Sequence, residues 1–324
     1  MTNRTVTVQD LGYGISLIDL IQSGERGRTG AYILRGEEKT AIVDVGSALD
    51  IPNLLIGLKQ LQISPEQIDY VIVTHIHLDH AGGVGTLLPY LPHATVVVHP
   101  RGARHLIDPS RLIAGARSVY GDQLEECFGQ ILPVPEERIL IRNDEETLSL
   151  GGERLLTFYD SPGHARHHFS IWDPVSQGIF SGDALGIRYV PELTGLDFEI
   201  IYPSSSPTEF DRESVFSTVN RLSKLPVKRI YHAHFGVTEP AQMAFERVLK
   251  GAAGFDDTAR SLFYPGISWK IIAEALQDYM KQDMEQQGLQ APHSWKEFAL
   301  DLELDAKGLL YRLEKEAKEN GSVE

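Results

Sequence analysis

The sequence predicts an α/β protein, sheets with helices outside them, ending in an all-helical appendage. Three observations carry that prediction. Residues 1–240 alternate short β-rich runs with Gly, Asp and Pro punctuation and with helical patterns. Several of those runs are apolar at nearly every position. From about Pro240 onward, strand patterns give way to helical periodicity. With 324 residues and 42% hydrophobic content, the chain can bury a large core and still carry an appendage.

Taken in order, the expected strands are Val6–Val8, Ile15–Leu20, Ala31–Leu34, Thr40–Val45, Tyr70–Thr74, Thr95–His99 and Arg154–Tyr159, then Phe169–Trp172, Gly178–Ser181 and Lys228–Ala233. YVIVT (70–74) and TVVVH (95–99) lack polar alternation, which suits strands covered on both faces. Between the strands, helical patterns span Pro52–Leu61, Gly85–Tyr90 and Thr208–Leu225, the last opened by SSSPTEF with its proline just inside. Residues 241–324 form the appendage: AQMAFERVLKGAA, SWKIIAEALQDYMKQDM and KEFALDLELDAKGLLYRLEKEAKENG. The last stretch also admits a helix-turn-helix with a short turn at LELDA, against which its acidic surroundings weigh. The simpler expectation is a packing cap or homodimer element, with Leu309, Leu310 and Leu313 as its apolar stripe.

A formal net charge of −15 argues against tracking along nucleic acid or an anionic membrane, since such binding needs Lys and Arg facing phosphates. No apolar run reaches the roughly 18 residues that span a bilayer. The single cysteine, Cys127, is expected as a small buried hydrophobe, and the start MTNRTVTVQD lacks a signal-peptide layout, so a cytoplasmic location is expected.

The chemistry concentrates in YVIVTHIHLDHAGGVGTL, where an apolar strand runs directly into His75, His77, Asp79 and His80. A strand end fixes side chains where the chain opens into a loop, a setting for a built site rather than a solvated His-rich turn. His75 and His77 alternate so that both rings can aim at one ion, while Asp79 and His80 lie further round the turn, within reach of a second. Three other strand ends each add one polar group: His164 in DSPGHARHH, Asp183 after SG, and His234 before FG. Each alone reads as an ordinary satisfied residue; together they make a coordination set. His232 rivals His234, because strand alternation puts both rings on one side, although the glycine two residues after His234 favours the latter.

HIHLDH, SPGH, SGD and HFG together resemble the metallo-β-lactamase superfamily, whose mark is HxHxDH followed by three isolated ligands in that order, and the likeness covers about residues 10 to 240. The resemblance implies an αββα sandwich of two similar halves with the site at one edge of the sheets. It implies that His75, His77 and His164 hold one divalent ion, that Asp79, His80 and His234 hold another, and that Asp183 bridges them. It also places an aspartate, here Asp44, beneath the histidines, where a hydrogen bond would orient a ligand ring; an ordinary turn residue is the alternative. In lactone-cleaving relatives a tyrosine soon after the bridging aspartate holds the substrate oxyanion. Tyr189, beside Arg188, is the candidate here at a longer spacing, with a packed loop tyrosine as the alternative.

Two ions roughly 3.5 to 4 Å apart can share one water and fix it as a bridging hydroxide for attack. Asp79 is then the residue to orient that hydroxide or pass its proton to the leaving group. Mixed nitrogen and oxygen donors suit zinc first, and iron or manganese as well. The expected function is a dinuclear metal-dependent hydrolase of a small ester-like molecule: a lactone, thioester or carboxylic ester. Alternatives are an iron-dependent oxidoreductase on the same scaffold, as in sulfur dioxygenases, and a phosphodiesterase. The flavodiiron pattern, with an acidic residue for the second histidine, is disfavoured by His77, and a nuclease by the lack of a basic stripe. His167 and His168 are expected to support the site without ligating; His93, His99 and His105 to be surface or strand-end residues; and Pro191–Pro203 to wall the pocket.

Overall fold

A computed structural model describes residues 5–321. Strands β1 (Val8–Asp10), β2 (Ile15–Asp19), β3 (Gly30–Arg35), β4 (Thr40–Val43), β5 (Tyr70–Ile72), β6 (Thr95–Val98) and β7 (Ile139–Ile141) form a seven-stranded sheet in chain order. It is antiparallel as far as β4 and parallel from β4 to β7. Strands β8 (Thr147–Ser149), β9 (Leu155–Asp160), β10 (Phe169–Asp173) and β11 (Gly178–Phe180) begin a second sheet. β12 (Ile187–Tyr189) and β13 (Ile200–Tyr202) pair separately, and β14 (Arg229–Tyr231) and β15 (Val237–Thr238) complete the second sheet in the order β15-β14-β11-β10-β9-β8.

Pleating sorts each central strand between two cores. Ile72 of β5 and Val97 of β6 face the second sheet, whereas Val71, Val96 and Val98 face outward. The inner set meets Phe158 of β9 and Phe169 of β10, whose rings pack edge to face with centroids 4.7 Å apart. The outer set is covered by Ile51, Leu54 and Leu58 of α1 (Ile51–Gln60). Both faces are therefore dry, which is why YVIVT and TVVVH show no polar alternation.

The short helices α2 (Leu78–Ala81) and α3 (Val84–Leu87) follow β5. Three helices that the sequence reading did not anticipate, α4 (Pro100–Ile107), α5 (Ser110–Tyr120) and α6 (Leu124–Phe128), come after β6. Cys127 in α6 is exposed, not buried as expected. After the one-turn α7 (Pro191–Thr194), α8 (Arg212–Leu222) starts later than its sequence pattern, because Asp211 is the cap: its carboxylate accepts from the Ser214 N–H at 2.7 Å. Residues 204–210 stay free as a loop.

The C-terminal region is α9 (Ala241–Leu262), α10 (Trp269–Gln286) and α11 (Ala299–Gly321). The helix-turn-helix reading fails because α11 runs unbroken through LELDA, a segment of helix-tolerant residues with neither Gly nor Pro to stop it. Leu309 and Leu313 are buried in the core that α11 shares with α9 and α10, and Leu310 packs against it. Among the described residues, no helix is long and apolar enough to cross a membrane.

Candidate metal centre

One edge of the sandwich collects the ends of β4, β5, β9, β11 and β14. β4 ends on Val43, and Asp44 follows with φ 53°, a left-handed conformation that Asp tolerates better than most residues. That turn aims the carboxylate at the segment leaving β5. Asp44 accepts from the Thr74 N–H at 2.8 Å and the Thr74 hydroxyl at 2.9 Å, and its Oδ2 lies 3.1 Å from His80 Nδ1. Gly182 lets the loop after β11 pass close beneath: a Cβ there would stand 2.4 Å from His168 Nε2 and 2.6 Å from Thr74 Oγ1.

Seven side chains converge. His77 Nδ1 lies 3.0 Å from His75 Nε2 and 2.8 Å from His164 Nε2. His80 Nε2 and His234 Nε2 each lie 3.5 Å from Asp79 Oδ2. Asp183 stands between the two groups: its Oδ2 is 3.5 Å from His164 Nε2, while its Oδ1 is 3.3 Å from His80 Nε2 and 3.4 Å from His234 Nε2. Three of the rings have their tautomer set from behind. His164 Nδ1 donates to Ser204 O at 3.1 Å, His234 Nδ1 to Arg28 O at 3.2 Å and His80 Nδ1 to Asp44. In each neutral ring the Nε2 lone pair therefore points into the cluster.

The electrostatics divide the cluster in two. Burial, then the neighbouring His164, drives His77 down to about 3, and burial with His80 and His77 holds His75 well below the usual imidazole range. Those rings are neutral donors. At His234, burial opposes charge but Asp183 and Asp79 override it and raise the ring to about 9; His80 is likewise held well above its ordinary value by Asp79 and Asp183 against burial. In the metal-free protein, protons thus balance two carboxylates that a cation would otherwise balance.

The donor set fits a pair of divalent ions. His80 Nε2 and Asp183 Oδ1 are buried without a hydrogen-bond partner, an arrangement that costs stability unless something binds there. Three overlapping trios, His75/His77/His164, His75/His80/Asp183 and Asp79/His80/His234, each bring their ligand atoms within 4.8 Å of one another. An ion with bonds of about 2.0–2.1 Å holds its ligands about 3 Å apart, the spacing found here.

The family model of the metallo-beta-lactamase superfamily matches residues 25–234, well over half of the chain, a span within which all seven of these residues fall. The chain belongs to the metallo-beta-lactamase superfamily. It is 26% identical over 249 residues to a metallo-beta-lactamase fold-containing protein of Sulfurisphaera tokodaii, covering 76% of this chain and 87% of that one. A metallo-beta-lactamase family protein of Thermus thermophilus superposes with a TM-score of 0.65 at 19% identity, covering 95% of each chain, a likeness of fold. A putative diflavin flavoprotein of Thermosynechococcus vestitus is 27% identical over 233 residues, but the chain spans only 36% of its length.

Within this superfamily fold, the two rival histidines point in different directions. His234 faces the cluster, whereas His232 is fully buried facing away, with Nε2 3.0 Å from Thr238 Oγ1 and Nδ1 3.4 Å from Gly186 O. His168 supports from behind, its Nε2 accepting from the Asp183 N–H at 3.2 Å. His167 lines the cavity beside Glu209. His93 is exposed and His105 lies on the cavity wall; His99 is buried and caps α4, accepting from the Arg101 N–H.

Two expectations are corrected. Tyr189 does not reach the cluster: it is 3% exposed and its hydroxyl donates to Asp301 Oδ2 at 2.9 Å, which ties β12 to α11. Arg188 beside it donates to Phe235 O at 2.8 Å and so braces the His234 loop. The cavity, about 480 Å³, is not walled by 191–203 but by residues of α5, α6, α11 and the loop 204–209. Sequence reasoning missed Thr74, Arg28, Ser204, Asp301 and Asp305, whose roles depend on contacts distant in sequence; only the Ser-rich run at 204–206 carried a local signal, and it was read as a helix cap.

Proposed function

We propose that the protein is a dinuclear metal-dependent hydrolase of a small ester-like substrate, a lactone, thioester or carboxylic ester, with zinc the first choice of metal. The observation that carries this reading is Asp183, which presents one carboxylate oxygen to each histidine group. When bound, the ions would supply an activated water and polarise the scissile carbonyl. The residues supply the positioning. His80, His164 and His234 keep their Nε2 atoms aimed inward through acceptors behind each ring. Asp79, half-buried, on the cavity wall and held as a carboxylate by His80 and His234 against burial, is placed to take the proton released by the attacking water and pass it to a departing alkoxide or thiolate. The cavity supports an apolar arm on the substrate, since Leu112, Ala116 and Val119 of α5, Phe128 of α6, and Leu300 and Leu304 of α11 share its lining with the polar donors.

The competing reading is iron-dependent oxidoreductase chemistry of the sulfur dioxygenase kind, which the same imidazole and carboxylate donors admit. A single panel separates the two: lactones, thioesters, carboxylic esters and phosphodiesters offered to the metal-loaded protein, with persulfide-dependent dioxygen uptake followed in parallel. Turnover at a carboxylic ester-like bond without dioxygen uptake is expected. Turnover of phosphodiesters alone, or dioxygen uptake, would displace the proposal.

The two rival histidines give a second prediction. His234→Ala is expected to lose about one equivalent of metal, because the acceptor-fixed Nε2 is gone. His232→Ala should keep both ions and instead cost about 1–3 kcal/mol of stability, the usual penalty for leaving the buried Thr238 hydroxyl unpaired. Elemental analysis and denaturant melts distinguish the two; metal loss in the His232 variant alone would reverse the assignment.

A further inference from the structure

The carbonyls that orient two of the rings are themselves held by the last helix. Ser204 O accepts from His164 Nδ1, and its neighbour Ser206 donates its hydroxyl to His164 O at 2.8 Å. Between them, Ser205 gives both its N–H (2.6 Å) and its hydroxyl (2.9 Å) to Asp305 Oδ1 on α11. On the other side of the cluster, Arg28 O accepts from His234 Nδ1, and the Arg28 side chain is paired with Asp301 on α11 at 3.0 Å and also donates to Glu297 O at 3.3 Å. Asp301 and Asp305 are four residues apart, hence on one face, and both are buried. The helix backbone itself meets the loop at Gly308, where a Cβ would stand 2.0 Å from Ser205 O and 2.7 Å from Ser206 O. A glycine inside a helix costs about 0.5–1 kcal/mol relative to alanine, so close approach is the reason for it here.

We propose that α11 is a positioning element of the metal centre, not an appendage to it: Asp305, through Ser204–Ser206, sets His164 in one ion's ligand group, and Asp301, through Arg28, sets His234 in the other's. This rests on the two-ion reading above. Asp301 and Asp305 touch neither ion; each acts through one peptide carbonyl. The helix therefore controls the two sites separately, one carboxylate to each.

Titration of cobalt(II) into the metal-free, full-length protein tests this, with the Nδ1–H signals of His164 and His234 followed by NMR. Wild type is expected to take two equivalents. Asp305→Ala should weaken one of them by about 10- to 100-fold, the usual cost of losing support behind a ligand, and disturb the His164 signal while His234 keeps its own. Asp301→Ala should do the reverse. Asp305→Asn, which retains an Oδ1 acceptor for Ser205, should restore the wild-type titration. Where an alanine variant melts below the working temperature, Arg28→Ala breaks the Asp301 link from its other partner and Gly308→Ala pushes the helix off Ser205, and the two should reproduce the site-by-site pattern. Two equivalents at unchanged affinity in both alanine variants, or equal loss of both ions in each, would overturn the proposal while leaving the metal reading intact. Fewer than two equivalents in wild type would overturn both.

Discussion

Asp183→Asn is expected to give a folded chain that no longer holds two divalent ions and has lost nearly all turnover. The carboxylate faces both histidine sets, 3.5 Å from His164 Nε2 through Oδ2 and 3.3–3.4 Å from His80 and His234 through Oδ1. An amide presents one oxygen and no charge, so one set loses an acceptor and gains an N–H donor aimed at its cation. The effect on affinity should exceed the roughly 10- to 100-fold typical of removing a partner that only supports a ligand. Elemental analysis after dialysis checks this, and full metal content with undiminished activity would refute the bridging role.

The same substitution has a signature in the metal-free protein. With His234 raised to about 9, its proton stabilises the fold fully below its unfolded value near 6.5, and that contribution is lost as pH rises through about 9. Without Asp183 the ring titrates lower. Melting temperature should therefore fall less steeply across that window in Asp183→Asn than in wild type.

Asp44→Ala is expected to damage both stability and metal binding. Two buried donors, the Thr74 N–H and His80 Nδ1, would lose their acceptor at once, and the Thr74 hydroxyl would be left with His75 Nδ1 alone. Each unsatisfied buried group costs about 1–3 kcal/mol, and alanine at φ 53° adds about 1 kcal/mol or more of backbone strain, so a loss of at least about 3 kcal/mol is expected. His80 would also be free to rotate, weakening its ion. Asp44→Asn keeps an acceptor oxygen and tolerates the positive φ, so it should recover much of the stability while leaving His80 poorly oriented. Denaturant melts and metal titration on both variants separate the two effects. A change below about 0.5 kcal/mol in Asp44→Ala, within the ordinary range of surface substitutions, would show that the carboxylate does not hold this edge together.

Much of the centre was legible because its donors sit where strands stop. The apolar run 70–74 announces a strand buried on both faces, and a chain leaving such a strand cannot turn polar side chains back into the core, so His75 to His80 had to open onto an edge. Asp183 and His234 follow the same logic at the ends of β11 and β14. His232 could not be dismissed from alternation alone, because its partners, Thr238 on β15 and the Gly186 carbonyl, come from other elements.

What stayed hidden depends on separation along the chain. Asp301 and Asp305 look like solvated helix residues until the fold brings them to Arg28 and Ser205. Tyr189 is a substrate candidate only through the resemblance to lactone-cleaving relatives, and nearness to Asp183 in sequence does not fix a side chain's direction; its hydroxyl faces α11, as the packed-tyrosine alternative has it. Helices α4 to α6 were missed, α4 and α6 because neither is longer than eight residues and α5 because none of its residues is fully buried, and with them one wall of the cavity. The helix-turn-helix reading failed for a cause visible in the sequence itself, the absence of any helix breaker in LELDA.

Anomalous diffraction from crystals of the metal-loaded wild-type protein locates the ions themselves. Two peaks about 3.5–4 Å apart are expected, one among His75, His77 and His164, the other among Asp79, His80 and His234, with Asp183 between them. A single peak, or two peaks that Asp183 does not join, would contradict the two-ion reading.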